Sequence, residues 1–118
     1  VWRVGVDVAI FERLHQALSA RDAKAYVNLL DDDYRFIRHR YGAALNKSEM
    51  EALLCSMMDA ETFRWPQDVR CIYENDEILV EHHIADLADG STEAVLAAHL
   101  IKDGKIIQTE TGATSIDA

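Results

Sequence analysis

The chain has 118 residues, 49% of them hydrophobic, and a formal net charge of -9 at pH 7. This length and apolar content predict a single folded domain over residues 1–118. The acidic balance and the scattered Arg and Lys residues argue against nucleic acid and anionic membrane surfaces as partners. The sequence contains no apolar run long enough to span a membrane and no recognisable signal peptide, so we expect neither.

The two cysteines, Cys55 and Cys71, lie in a predicted helix and a predicted strand and do not form a C-x-x-C pair. Reduced, buried thiols are typical of a reducing compartment, so we expect a cytoplasmic protein. No dinucleotide, phosphate-binding or zinc-protease motif occurs, and we therefore expect no cofactor and no metal.

The first third of the chain predicts two helices. Apolar residues recur at helical spacing from Asp7 to Ala20, with Asp7 as the N-cap. Asp22 is a typical N-cap for a short second helix. The acidic run that follows, residues 31–33, is expected to be a solvated loop, because successive carboxylates do not converge on one metal ion without a structured loop around them.

The middle of the chain predicts a strand and a third helix. Residues 34–41 are typical of a strand, and residues 42–45 of a turn or short strand. Asn46, followed three residues later by Glu49, predicts a capping box at the start of the third helix. The single proline, Pro66, marks the beginning of the last part of the chain.

Residues 67–116 predict four antiparallel strands. Their apolar segments are interrupted by three dipeptides typical of two-residue hairpin turns. These dipeptides are Asn75-Asp76, Asp89-Gly90 and Asp103-Gly104. The order of elements predicts an α+β fold in which three N-terminal helices pack in a curved, mostly antiparallel sheet that ends in a four-strand meander.

Two-residue turns determine which side chains share a face of this sheet. They place His82, His99, Gln108 and Glu110 on one face, among Ile and Val side chains. A one-residue bulge would exchange the faces downstream of it. The opposite face is also rich in apolar residues, and three short helices can cover only one face. We therefore expect the other face to pack against a second copy of the chain in a homodimer.

This polar cluster is the candidate site. His82 and His99 are candidate proton carriers near neutral pH, because burial and a nearby carboxylate tune an imidazole across that range. Glu110 is the candidate carboxylate that orients an imidazole, and Gln108 a candidate oxyanion partner. Two alternatives stay open: the histidines are hydrogen-bonded core residues, or they contact a ligand without chemistry.

A further alternative is a metal bound by His82, His99 and Glu110, the ligand types of non-haem iron sites. The short-spaced ligand pair usual in such sites is absent.

Of the remaining histidines, His15 lies on the apolar side of the first helix and either reaches the cavity or packs in the core. His83 is assigned to the opposite face, where it would belong to the dimer contact.

The strand with Tyr34, Phe36 and Arg38 supplies the expected ligand-binding wall. These three side chains face inward if the strand joins the sheet beside the last strand. Arg38 would then bind an anionic group or act as the oxyanion partner, whereas a solvated Arg on an edge strand is the alternative. Trp65 and Val69 complete the expected wall.

Three segments resemble the nuclear transport factor 2-like superfamily, and most closely its SnoaL-like branch. They are residues 29–34 (Leu-Leu-Asp-Asp-Asp-Tyr), the capped helix after residues 46–49 (Asn-Lys-Ser-Glu) and the ending 99–107 (His-Leu-Ile-Lys-Asp-Gly-Lys-Ile-Ile). The resemblance covers nearly the whole chain. It implies a cone in which a curved sheet wraps round helices, opens at one end to a small-molecule pocket, and is commonly dimeric through its outer face.

The superfamily includes ketosteroid isomerase, and this chain departs from that enzyme at three places. Arg38 stands where the resemblance implies the catalytic base, and Leu14 where it implies the oxyanion-holding Tyr. Ala97 or Ala98 stands in place of the protonated Asp. We therefore do not expect steroid isomerase chemistry. Cyclases and dehydratases of the superfamily use His and Asp pairs in the cone, which keeps the two sheet histidines as candidates.

The expected function is binding of a small apolar or mildly polar molecule, with cofactor-free isomerisation, dehydration or cyclisation as the expected chemistry. The alternative is a noncatalytic ligand-binding or protein-association domain with structural histidines. A catalytic cone keeps an open cavity that both His82 and His99 reach. An association domain fills that space with Trp65, Met57 or Phe63.

Overall fold

The computed structural model describes residues 9–87 and 89–116. Its helices are α1 (Ile10–Ser19), α2 (Ala23–Val27), α3 (Lys47–Asp59) and a short 3-10 helix, His39–Tyr41. Its strands are β1 (Leu30–Arg38), β2 (Ala43–Asn46), β3 (Gln67–Glu74), β4 (Ile78–Asp86), β5 (Thr92–Lys102) and β6 (Lys105–Ile116). The predicted N-cap Asp7 lies outside the described residues. No helix within the described ranges is long and apolar enough to cross a membrane.

The six strands form one mixed sheet in the order β2-β1-β6-β5-β4-β3. The strands β3 to β6 are antiparallel neighbours that follow one another along the chain. β1 instead runs parallel to β6 and antiparallel to β2. The predicted α+β class is confirmed. The helices are not all grouped ahead of the sheet, however, because β1 and β2 precede α3.

Two of the predicted helix starts are confirmed. The Ala25 N–H donates to the Asp22 carboxylate at 3.0 Å and so caps α2. At α3 the Glu49 N–H donates to the Asn46 side chain, and the Asn46 N–H donates to the Glu49 carboxylate, both at 2.9 Å. This reciprocal capping box satisfies two backbone donors that the first turn of a helix leaves unpaired.

The helices pack against one face of the sheet, here called the inner face, and the core lies between the two layers. Burying a large apolar side chain in such a core contributes roughly 1.5–3 kcal/mol. The largest fully buried side chains come from α1, β1, β4 and β6. They are Leu14, Leu30, Tyr34, Leu79 and Ile106.

The hairpin loops determine the register of the sheet. Asp103 and Gly104 both have positive φ, 51° and 77°, and form the predicted two-residue turn between β5 and β6. Between β4 and β5, the Leu87 N–H donates to the Ser91 carbonyl at 2.9 Å, so the connection is one residue longer than the predicted two-residue turn. Gly90, with φ of 89°, supplies the left-handed position that a three-residue loop needs.

Two register changes separate residues that were predicted to share one face. The longer loop places Glu81, and not His82, opposite Ala97. A second shift, between Leu100 and Ile101 of β5, places Thr109 rather than Gln108 opposite His99. Because side chains alternate between the faces of a strand, each one-residue change exchanges the inner and outer sets of β4 or of β6.

Two local predictions are wrong. The acidic residues 31–33 lie within β1 rather than in a loop, next to a register irregularity that leaves Asp32 and Asp33 exposed. Cys55 and Cys71 are exposed rather than buried, and neither forms a disulfide.

Candidate functional site

A cavity of about 220 Å³ lies between the helices and the inner face of the sheet. Most of its wall is apolar and comes from α1, α3, β4 and β5. Met57 lines it without filling it, whereas Phe63 and Trp65 do not line it. Its polar lining residues are His15, Tyr26, Arg38, Arg40, Tyr41, Glu81, His83, Glu93, His99, Thr109 and Thr111.

Glu81 joins two histidines inside this cavity. One carboxylate oxygen accepts from His15 Nε2 at 2.7 Å, and the other accepts from His99 Nε2 at 2.6 Å. The second ring nitrogen of His99 lies 2.7 Å from the Thr109 hydroxyl. Glu81 and His99 are 4% and 2% exposed, so this network is inside the protein rather than on its surface.

The network holds Glu81 in its ionised form. Burial raises the pKa of this carboxyl, but hydrogen bonds from His15 and His99, together with their charges, outweigh burial and bring the pKa to about 2. An ionised carboxylate only accepts hydrogen bonds, so the Nε2 atom of each histidine carries the hydrogen. When His99 is neutral, its Nδ1 accepts from the Thr109 hydroxyl.

Two buried tyrosines are associated with this network. Burial, and then the neighbouring Tyr34 and Glu81, raise the pKa of Tyr26. Burial likewise raises the pKa of Tyr34, and the Thr109 side chain opposes it only in part. The Tyr34 hydroxyl has no partner of normal hydrogen-bond geometry among residues 9–87 and 89–116. Both phenols therefore stay protonated.

A second polar group centres on Glu93 of β5, which is 4% exposed. Its carboxylate accepts from Arg40 Nε at 2.8 Å and from the Tyr41 hydroxyl at 2.5 Å. Arg40 also donates to the Ser115 hydroxyl. The charge of Glu93 is thus neutralised where it lines the cavity.

Arg38 lies beside this group but belongs to no ion pair with another described residue. Its guanidinium carbon lies 4.5 Å from the ring centre of Tyr41 and 5.7 Å from that of Phe36. The faces of aromatic rings attract a cation at such distances, so the two rings hold the guanidinium in place.

A second cavity, of about 350 Å³, shares part of its wall with the first. Arg38 and His83 line both cavities and therefore lie where the two meet. Burial lowers the pKa of His83, and the nearby Glu81 opposes this effect. The buried Nδ1 of His83 makes no hydrogen bond with the part of the chain that the structure describes.

Of the three predicted catalytic residues, only His99 lines the cavity. His82 lies on the outer face, paired with Leu96. Glu110 also lies outside, where it accepts from His39 at 2.9 Å and from Gln108 at 3.0 Å. The prediction that these residues form one cluster is wrong, because the two register changes turn His82 and Glu110 away from His99. His82 and His99 therefore do not reach one cavity, and the catalytic interpretation that rested on this pair fails.

The same separation removes the alternative metal site, since His82 and Glu110 cannot share an ion with His99. Among the described residues, no group of three or more His, Cys, Asp and Glu side chains is arranged to bind a metal.

The predicted ligand-binding residues divide into two sets. Phe36 and Arg38 line the cavity and Tyr34 is buried in the core, because β1 does join the sheet beside β6. Trp65, Val69 and Gln108 line neither cavity. Trp65 is 40% exposed and packs instead against Phe63 and Arg21.

Sequence reasoning missed Glu81 and Glu93, and assigned His83 to the wrong face. A signal for β4 is present in the sequence: Leu79, Glu81, His83 and Ala85 alternate with Val80, His82 and Ile84. Both rows are largely apolar, so alternation alone does not decide which one faces the helices.

The fold has relatives among solved structures, although no family model and no curated protein sequence matches the chain. An NTF2-like protein of unknown function from Burkholderia xenovorans has a TM-score of 0.69 and 15% identity, covering 91% of this chain and 81% of that chain. A SnoaL-like protein of unknown function from Burkholderia thailandensis has a TM-score of 0.70 and 12% identity, covering 88% and 90%.

A third similar structure is a protein with a ketosteroid isomerase-like fold from Catenulispora acidiphila, in complex with trimethylamine. Its TM-score is 0.62 at 10% identity, and the match covers 91% of this chain and 86% of that chain. The chain therefore has the nuclear transport factor 2-like fold, as the sequence resemblance implied. At such identities a likeness establishes the fold and not the activity.

Proposed function

We propose that this protein binds a small, largely apolar molecule in the cavity and carries out cofactor-independent proton transfer on it. The observation that carries the proposal is the ionised Glu81 held between His15 and His99 in a mostly apolar cavity. At about 220 Å³ the cavity is smaller than the roughly 300–1,000 Å³ of drug-sized sites, so the ligand is small. A structural neighbour that holds trimethylamine supports small-molecule binding by this fold.

His15 is the proposed base. Its Nε2 is held by Glu81, and its Nδ1 has no hydrogen-bond partner among the described residues. His15 lines both the cavity and a surface depression beside α1, so a proton taken from the ligand has a path to solvent. His99 is a poorer base because both of its ring nitrogens are engaged.

The proposed step begins when His15 Nδ1 removes a proton from a carbon next to a carbonyl. The electron pair of the broken C–H bond moves to the carbonyl oxygen, to which the Tyr26 hydroxyl donates a hydrogen bond. In a β,γ-unsaturated carbonyl compound, return of the proton from the imidazolium to the γ-carbon moves the C=C double bond into conjugation with the carbonyl and completes an isomerisation. Glu81 is a positioning residue that fixes the tautomer of His15 and stabilises the imidazolium.

The test is the Kemp elimination of nitrobenzisoxazole, in which a base removes one proton, the N–O bond breaks and a coloured phenolate forms. We expect saturable acceleration by the protein, a loss of at least about tenfold in kcat/KM in His15→Gln, and an altered pH–rate profile in Glu81→Gln. His39→Gln is the matched control, because His39 is an exposed imidazole outside the cavity. Equal rates for His15→Gln and the parent protein would contradict the assigned base.

A second candidate function is noncatalytic ligand binding. The full engagement and burial of His99 favour it, since such a histidine also serves as a structural partner of Glu81. Saturable binding of nitrobenzisoxazole without turnover would support this function and overturn the catalytic one.

We also propose that the protein is a homodimer through the outer face of the sheet. The support is the exposure of apolar side chains there: Tyr73, Leu96 and Leu100 are 47%, 49% and 39% exposed. An apolar sheet face of this kind is typical of a protein–protein contact.

A further inference from the structure

We infer that the ligand is a small apolar monocarboxylate, and that Arg38 binds its carboxylate where the two cavities meet. This inference rests on the proposed binding function and adds the chemical class of the ligand. Its starting point is a half-buried guanidinium that lines both cavities and has no ion-pair partner among the described residues.

The geometry of Arg38 suits an anion. The guanidinium lies over the rings of Tyr41 and Phe36, which hold its position at the end of β1. A half-buried charge without a partner is costly, and an incoming anion offsets that cost. The planar fork of Arg matches a carboxylate with two parallel N–H donors, which a single ammonium does not.

No carboxylate among the described residues forms an ion pair with Arg38. Glu93 is a carboxylate of the main cavity wall, and Arg40 already neutralises it. In the second cavity, Asp86 accepts from Gln67 and Thr92. Arg64 is also part of that wall and donates to backbone carbonyls. Glu81 and Asp86 are the other carboxylates in the walls of the two cavities, and neither forms an ion pair with Arg38.

The rest of the cavity determines the rest of the ligand. Beyond Arg38 the wall is formed by apolar side chains such as Leu14, Met50 and Ala97, which favour an apolar body. His83, lining both cavities beside Arg38, adds a neutral hydrogen-bonding group. The network of Glu81 with His15 and His99 is a separate polar group of the same cavity, available to the reacting carbon.

Three methionines make binding directly observable. Met50 and Met57 line the main cavity, whereas Met58 is buried and lines neither cavity. The probes are phenylpropanoate, its amide phenylpropanamide and the amine phenylpropylamine, which share one apolar body and differ in charge. Titration followed by NMR of isotope-labelled methionine methyl groups should shift Met50 and Met57 and leave Met58 in place.

We expect phenylpropanoate to bind roughly ten- to a hundredfold more tightly than the amide, the range of a charge-assisted hydrogen bond. Arg38→Gln should abolish this preference, and Arg38→Lys should retain part of it, since it keeps the charge and loses the fork. Arg35→Gln is the matched control, because it removes the same charge from an exposed position of β1 that lines neither cavity. An unchanged Met58 signal verifies that each variant is folded.

The outcomes separate the two proposals. If none of the three probes shifts Met50 or Met57, the proposed binding function fails. If the amide binds as well as the carboxylate, or the amine binds best, the binding function stands and the carboxylate inference is overturned. A carboxylate preference that survives in Arg38→Gln would overturn the assignment to Arg38.

Discussion

A single carboxylate, Glu81, joins the polar groups inside this protein. It is 4% exposed and accepts hydrogen bonds from His15 on α1 and His99 on β5. An ionised group at such depth is strongly unfavourable unless donors surround it. Glu81 thereby ties a helix to two strands and supplies the one anion against which both imidazoles are oriented.

The depressed pKa of Glu81 predicts a loss of stability in acid. Its pKa is about 2 in the folded chain against an ordinary value of 4.5, so its contribution is fully present above about pH 4.5 and is lost as the pH falls towards 2. The shift corresponds to at most about 3 kcal/mol. Urea unfolding measured from pH 7 to pH 2 should show this decline in the parent protein and a smaller one in Glu81→Gln. Parallel declines in the two proteins would contradict the prediction.

The face on which a side chain lies was predictable where it depends on the pairing with only one neighbouring strand. The inward position of Arg38 and Phe36 follows from alternation along β1 and from the pairing of β1 with β6. Glu81 was not predictable in this way, because its facing depends on the length of a loop several residues away. Which residues on different strands share a face depends on the lengths of all the loops and bulges between those strands.

At the scale of elements, α3 begins with the most complete local signal in the chain. The reciprocal bonds between Asn46 and Glu49 are read directly from residues three apart. We expect Asn46→Ala to destabilise the protein by about 1 kcal/mol, through loss of the acceptor for the Glu49 N–H. Urea unfolding at neutral pH measures this change.

Asn28→Ala is the control for that variant. Asn28 lies at the C-terminal end of α2, is exposed, and its side chain makes no hydrogen bond with the described residues. An equal loss of stability in the two variants would mean that the capping box contributes nothing specific.

The hairpins show which parts of the fold the sequence predicts. The dipeptides Asp103-Gly104 and Asp89-Gly90 look alike, yet the first forms a two-residue turn and the second belongs to a three-residue loop. Both loop types place Gly at a position of positive φ, so the local sequence does not distinguish them. In the structure Leu79 and Ala97 are buried, and which row of a strand is buried against the helices is tertiary information that the turn residues do not contain.

At the scale of the whole molecule, the sheet has two unlike surfaces. The inner face carries the cavity, and the outer face carries exposed Leu96 and Leu100 beside His82. We predict a dimer with twice the 13.3 kDa mass of the chain, measured by light scattering during size exclusion. Leu96→Glu should shift the protein to monomer, because like charges would then face each other across an apolar contact.

Glu12→Gln is a suitable comparison for that experiment, since it alters one charge at an exposed site of α1, away from the outer face. A parent protein that elutes as a monomer at micromolar concentration would contradict the dimer. A dimer that survives in Leu96→Glu would place the contact elsewhere on the molecule.

The space between the helices and the sheet is proposed to be a ligand site in which Arg38 and the network of Glu81 orient the ligand. A crystal structure of the protein with phenylpropanoate tests it most directly. We expect the phenyl ring to lie against Leu14 and Ala97, with the carboxylate within about 3 Å of the Arg38 guanidinium nitrogens. A cavity closed by its own side chains, or phenylpropanoate bound only outside it, would contradict this ligand site.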